Sequence, residues 1–284
     1  MFHIAILLTV HNRKETTLRC LISLYNALEK VNEHSFDVYI TDDKSTDGTV
    51  EYVKERFPNV NILFGNGNLF WCRGMIFAWE YASKVKDYDF YIWLNDDVLL
   101  FKNSIDALLK SSIVTNQSAI ISGAFRSEFN DEPTYGGIID NRILIPNTKL
   151  QEFNILNGNL VLVPRIIYNK IGMLDSHYHH GVGDHDYGLR AKKAGFKLYL
   201  TQVYVGYCER HDKIKLKCYN SDYNIFNRFR FLYSPLGPNP IINNKYFFNH
   251  YSLLYALNVF FTVNIVTLFP FLYGFKKRLM KKLS

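Results

Sequence analysis

The stretch IAILLTVHNR, Ile4–Arg13, is an apolar run that stops abruptly at a polar cluster. An unbroken run of this kind suits a strand buried on both faces, whereas a half-exposed strand would alternate. It lacks the basic leader and small-residue cleavage site of a signal peptide, so it reads as a first strand. Downstream, Leu18, Leu21, Ile22, Tyr25 and Leu28 recur at helical spacing, and FDVYIT gives a second strand. TVEYVKERF follows as a helix and VNILF as a third strand. This βαβαβ beginning predicts an α/β fold with a mainly parallel central sheet and helices on both faces. In such sheets ligands bind outside the carboxyl ends of the strands. Attention therefore falls on the polar segments after each strand: Asn12 and its neighbours, Asp42–Gly48, Gly65–Asn68, and Asn95–Asp97.

The last of these lies in YIWLNDDVLLF, Tyr91–Phe101, where an amide and two adjacent carboxylates interrupt an otherwise apolar run. Ionised groups out of water are costly unless paired, hydrogen-bonded or metal-bound. YIWL is then a fourth strand, and Asn95, Asp96 and Asp97 mark where it emerges. NSIDALLKSS resumes a helix with Asn103 at its N-cap. From about Gly123 to Pro164 the pattern is less regular, with turns at Tyr135–Gly137 and Asn157–Asn159. NLVLVP then reads as a strand and RIIYNKIG as a helix. GDHDYGLRAKKAG opens a further helix that ends at Gly195 and leads to a strand.

At 284 residues the chain can bury a full core. Its net charge of +7 is concentrated at Lys276, Lys277, Arg278, Lys281 and Lys282, and no nucleic-acid-binding pattern accompanies that tail. Cys20, Cys72, Cys208 and Cys218 lack CxxC spacing, which indicates neither zinc nor a disulfide framework and fits a reducing cytoplasm.

The clusters carry chemistry of two kinds. Asp96 and Asp97 either hold a divalent cation together with substrate phosphates or simply cap the next turn. Asp184 and Asp186 open a helix, where one can be a cap and the other a general base toward an attacking hydroxyl. Asp42 and Asp43 are placed to accept hydrogen bonds from ribose or a base, while Asp47 and Gly48 belong to the turn. Arg73 can pair with a phosphate, and Trp71 can stack on a sugar or fill core.

Taken in order, LLTVHNR, TDDKSTDGT, GNGNLFWCRGM, WLNDDV, NGNLVLVPR and GDHDYGLRAKKAGF resemble the inverting family 2 glycosyltransferases of the GT-A fold. Within that family the chain is most similar to rhamnosyltransferase-like enzymes of bacterial polysaccharide assembly, over Ile4 to His211. The resemblance implies a UDP- or dTDP-linked sugar donor, Mg²⁺ or Mn²⁺, and direct displacement with inversion. It implies a saccharide or lipid-linked acceptor, with no covalent intermediate. By position, Thr9, His11, Asn12 and Arg13 match the first nucleotide loop and Asp42 the acid that contacts nucleoside. Asn68, Trp71, Arg73, Asn95 and Asp96 join them on the donor side. Asn95 stands where the family usually has its first Asp, which shifts metal binding to Asp97. His211 resembles the late histidine that completes the metal shell. Gly183 stands where Glu is common, leaving Asp184 as base and Asp186, Asn157 and Gly158 to orient the acceptor.

The sequence predicts a catalytic domain over residues 1–240 and an apolar helical extension with a basic tail over 241–284. Tyr251–Gly274 contains no charged residue. It is long enough for a membrane span, but Tyr251, Tyr255, Asn258 and Thr262 form one polar stripe and Pro270 interrupts the far end. A helix lying on the cytoplasmic face of the plasma membrane fits this pattern better, a core or dimer helix being the alternative. Two other functional readings stand beside sugar transfer: a catalytically silent sugar-binding or assembly module, which Asn95 favours, and a sugar-phosphate nucleotidyltransferase. The second would show a Gly- and Arg-rich loop after the first strand, and HNRKETT is not one.

Overall fold

The computed structural model describes residues 1–210 and 214–273, which form two compact units. Unit 1 comprises 1–176 and 183–210, and unit 2 comprises 177–182 and 211 onward. The predicted domain boundary at 240 therefore falls inside the second unit.

In unit 1 the strands are β1 (His3–Val10), β2 (Ser35–Asp42), β3 (Asn61–Phe64), β4 (Phe90–Leu94), β5 (Leu99–Leu100), β6 (Ala119–Arg126), β7 (Pro133–Tyr135), β8 (Ile138–Ile139), β9 (Arg142–Ile143), β10 (Gln151–Glu152), β11 (Leu160–Pro164) and β12 (Lys197–Tyr207). The helices are α1 (Lys14–Leu28), α2 (Thr49–Arg56), α3 (Phe70–Val85), α4 (Ser104–Val114), α5 (Arg165–Ile171) and α6 (Gly183–Lys193). β1 is buried from Ile4 to Leu8, which is why its sequence does not alternate. It pairs in parallel with β2 on one side and β4 on the other.

The main sheet runs β10-β12-β6-β11-β4-β1-β2-β3. Its β3-β2-β1-β4 half is parallel as expected. In the other half β12 runs parallel to β6 as well, while β11 runs antiparallel to both β4 and β6 and β10 antiparallel to β12, so the sheet is mostly parallel with antiparallel insertions. From β1 the chain steps outward to β2 and β3, then returns through α3 to place β4 on the opposite side of β1. In open α/β sheets such a reversal marks the place, at the carboxyl ends of the two strands, where ligands bind. α3 lies very close to β1, because a Cβ on Gly74 would sit 2.4 Å from the Thr9 Cγ2 methyl. The Thr41 hydroxyl also donates to the Gly74 carbonyl at 2.8 Å. From α3, Trp79 packs edge to face on Trp93 and tilted on Tyr91 in the core, and Trp93 packs edge to face on Tyr187.

Unit 2 contains α7 (Ile225–Leu232), α8 (Pro240–His250) and α9 (Leu253–Leu268). Pro240 starts α8 and the Asn239 side chain accepts from Ile241 and Ile242 N–H. The charge-free run opens at Tyr251, just past the end of α8, and Ser252 caps α9 by accepting from Tyr255 N–H at 3.1 Å. Within the unit, Tyr233 donates to Asn264 Oδ1 at 2.6 Å, and Asn258 accepts from Thr262 at 3.0 Å. Among the described residues no helix is long and apolar enough to cross a membrane.

Candidate functional site

Immediately after β1, Asn12 takes a left-handed backbone (φ 49°) that Asn tolerates better than most residues. Its side-chain oxygen accepts from Thr46 N–H at 2.7 Å, and its own N–H donates to Ser45 Oγ at 2.9 Å. His11 bonds the Asp43 carbonyl at 2.7 Å through Nδ1. The first loop is thereby fixed to the second, and Arg13 points across to the end of β4. There its guanidinium forks, donating to Asp96 Oδ1 at 2.9 Å and to Asp97 Oδ2 at 3.1 Å.

The two carboxylates differ. Asp96 is 4% exposed and also accepts from Thr17 Oγ1 at 3.3 Å. Burial pushes its acid up to about 7, outweighing the opposite pull of Arg13, with Asp97 adding to the rise. Asp97 is more open, and its Oδ1 faces the Cys208 thiol at 4.0 Å. Burial raises that thiol far above its usual range, so Cys208 sits there as a neutral group.

A chain of contacts leads from this cluster to the start of α6. Cys208 accepts from Asn159 Nδ2 at 3.3 Å, and the Asn159 carbonyl accepts from Asn95 N–H at 2.9 Å. Asn95 Oδ1 accepts from the Trp71 indole N–H at 2.7 Å. The Trp71 ring lies close enough to Gly158 that a Cβ there would come within 2.7 Å of it. Gly158 N–H in turn donates to Asp184 Oδ2 at 2.8 Å, while Asp184 Oδ1 accepts from His185 N–H at 2.9 Å. Residues separated by almost ninety positions thus share one end of the sheet. Thr9 joins the same chain, its hydroxyl 3.5 Å from the Trp71 carbonyl.

The other expected residues divide. Asp42 is buried, one oxygen accepting from Ser45 N–H at 3.0 Å and the other without a hydrogen-bond partner among the described residues. An orphaned buried acceptor of this kind calls for a donor group. Asp43 is fully engaged instead, accepting from Gly67, Leu69 and Phe70 N–H between 2.7 and 3.0 Å, and so anchors the loop into α3. Asp186, 1% exposed, pairs with Arg190 at 2.8 Å; Arg190 also donates to the Ile171 and Met173 carbonyls. That pair braces α6 and gives Asp186 a structural task.

Arg73 donates to the Ser176 carbonyl at 2.9 Å, Asn68 is exposed beside Asn66, and Asn157 accepts weakly from Gly136 N–H at 3.4 Å. None of these three contacts belongs to the chain from Asp97 to Asp184. His211 lies outside the described residues. Cys208 and Asn159 were not anticipated, because neither belongs to a charged motif.

Among the described residues no three His, Cys, Asp or Glu side chains gather as a metal cage. Mg²⁺ bound through one or two carboxylates and completed by substrate phosphates requires no such cage, and the partly open Asp97 fits that mode.

A profile described as Glycosyl transferase family 2 matches residues 5–176, the segment carrying β1 to β4, the Arg13–Asp96–Asp97 cluster and Trp71. Curated proteins give no significant match. The matched segment covers more than half of the 284 residues, and the chain belongs to glycosyltransferase family 2 as a sugar-transferring enzyme of α/β fold.

Proposed function

We propose that this enzyme moves a sugar from a UDP- or dTDP-linked donor to a hydroxyl of a saccharide or lipid-linked saccharide, with inversion at the anomeric carbon. Bacterial surface-polysaccharide assembly, in the manner of rhamnosyltransferases, is the setting. The observation that supports the reading is the contact path Asp97–Cys208–Asn159–Asn95–Trp71–Gly158–Asp184, which links the Asp96–Asp97 pair to the start of α6.

Asp42 would accept from the nucleoside, answering its orphaned oxygen. Arg13 holds the Asp96–Asp97 pair in place and carries positive charge next to the diphosphate position. Asp184, oriented by Gly158 N–H, accepts the proton of the acceptor hydroxyl. That oxygen forms its bond to the anomeric carbon as the bond to the diphosphate breaks, and the electron pair leaves on phosphate oxygen. One displacement inverts the centre. Mg²⁺ or Mn²⁺ at Asp97, with His211 as a second expected ligand, would neutralise charge on the leaving diphosphate. A lipid-linked acceptor would bring the enzyme to the cytoplasmic face of the membrane, as a monomer or a dimer.

The test is a screen of UDP- and dTDP-sugars for Mn²⁺-dependent binding and slow hydrolysis. One donor family binding with clear preference supports the reading, and failure of every nucleotide-sugar to bind removes it.

A further inference from the structure

Unit 2 carries a surface that sugar transfer does not use. On α9, Leu254, Leu257, Phe261, Ile265 and Leu268 recur at spacings of three and four and are all exposed, Leu254 to 79% and Phe261 to 58%. The opposite side of the same helix buries Ala256, Val266 and Thr267. α8 adds two exposed apolar residues seven positions apart, Ile241 and Phe248. A contiguous apolar face of this kind marks an interaction site.

Charge identifies the partner. No Asp or Glu follows Asp222, while Arg228, Arg230, Lys245, Lys276, Lys277, Arg278, Lys281 and Lys282 do; the first 222 residues hold 25 Lys and Arg against 26 acids. The entire positive excess of the chain therefore lies in the stretch of sequence that also supplies the apolar face. A second copy pairing symmetrically would bring the same cations together, which is unfavourable. An anionic surface with an apolar interior satisfies both features. Helix length then separates lying from spanning: 16 residues in α9 extend about 24 Å, short of a hydrocarbon core of about 30 Å.

We infer that unit 2 docks on a bilayer containing anionic lipids, with the Leu254–Phe261–Leu268 stripe immersed at the headgroup boundary and the positive charge of the sequence that follows the buried Arg228 drawn to the headgroups. This goes beyond the transfer reading and does not rest on it.

The experiment is co-sedimentation of the full chain, without donor, with vesicles of phosphatidylcholine alone and of phosphatidylcholine mixed with phosphatidylglycerol. Binding should favour the anionic vesicles by about fivefold for each cation engaged, and should weaken as salt is added. Leu254→Ser combined with Phe261→Ser should cost about tenfold or more in that binding, with an unchanged melting temperature, since both side chains face outward. A second variant, Lys281→Glu with Lys282→Glu, should reduce the preference for anionic lipid. Equal recovery in the supernatant with both vesicle types overturns the inference. So does a serine variant that pellets like the parent, or a dimer in the ultracentrifuge that the serine variant dissolves while vesicle binding is absent.

Discussion

The carboxyl end of the sheet and the helices of unit 2 treat charge in opposite ways. At the sheet, Asp96, Asp186 and Asp43 are buried and Asp97 partly so, and these four are met by specific partners: Asp96 and Asp97 by Arg13, Asp186 by Arg190, Asp43 by three backbone N–H groups. In unit 2 the sequence after Asp222 supplies cations and no acids, and α9 leaves apolar side chains exposed. Charges fixed inward by short bonds give a preorganised site, which suits chemistry. Cations with no acid in the same stretch, next to apolar surface, suit an extended partner that supplies what the protein lacks.

The contrast is broken most directly at the base. Asp184→Asn keeps an acceptor for Gly158 N–H but cannot take a proton, so turnover should fall by about 10²- to 10⁴-fold while donor binding persists. Steady-state transfer and donor titration check this together, and turnover that survives the change removes Asp184 from the mechanism. Next comes Arg13→Gln, which leaves Asp96 buried without its opposite charge. Breaking a fully buried pair costs about 3–5 kcal/mol; Arg13 is 38% exposed, so screening reduces the expected loss to about 2 kcal/mol. Denaturant midpoints read it, and an unshifted midpoint would mean the cluster is not held by this ion pair. An effect of the same order is expected of Gly158→Ala. Its new methyl would meet the rigid Trp71 ring at 2.7 Å and crowd Asp184 Cβ at 3.3 Å. A loss of about 1–3 kcal/mol in stability follows from overpacking. A disproportionate fall in kcat would show that the Trp71–Gly158 contact sets the angle of the base.

Much of this architecture is legible in the sequence because burial on both faces writes itself as unbroken apolar runs. IAILLTV, FDVYIT and YIWL became β1, β2 and β4, and the polar residues that follow each run lie at one end of the sheet. Direction is not written in the same way: β11, read as LVLVP, gives no sign that it runs antiparallel to β4. β6 escaped because Ser122 and Gly123 interrupt AIISGAFR, although both sit inside the strand. At the site, formal charge drew attention to Arg73, yet Arg73 donates to a backbone carbonyl near the end of α5. Cys208 and Asn159 escaped because their part depends on tertiary neighbours that no local motif records. Asp42 and Asp43 are adjacent and chemically identical, so only the fold could show that Asp43 holds the α3 loop while Asp42 keeps an orphaned oxygen.

The last prediction concerns the proton on Asp96, and its sign follows from linkage. Burial lifts this acid from 3.8 to about 7, with Arg13 pulling the other way and Asp97 adding to the rise. Between those two values the folded protein holds a proton that the unfolded chain releases. Stability contributed by this group is therefore fully present below the unfolded value and is lost as pH rises through the folded one. Asp96→Asn cannot release a proton, so the parent minus variant stability should decline from about pH 4 to about pH 7 and then level off. Taking the difference matters, because Asp47 is held below its ordinary value by its hydrogen bonds to Thr49 and Lys14, against the pull of burial, and tilts both proteins the opposite way. Urea midpoints of the two proteins across that range supply the measurement. A flat difference would place Asp96 in contact with water, and the sheet end would then not hold its charge as a preorganised site does.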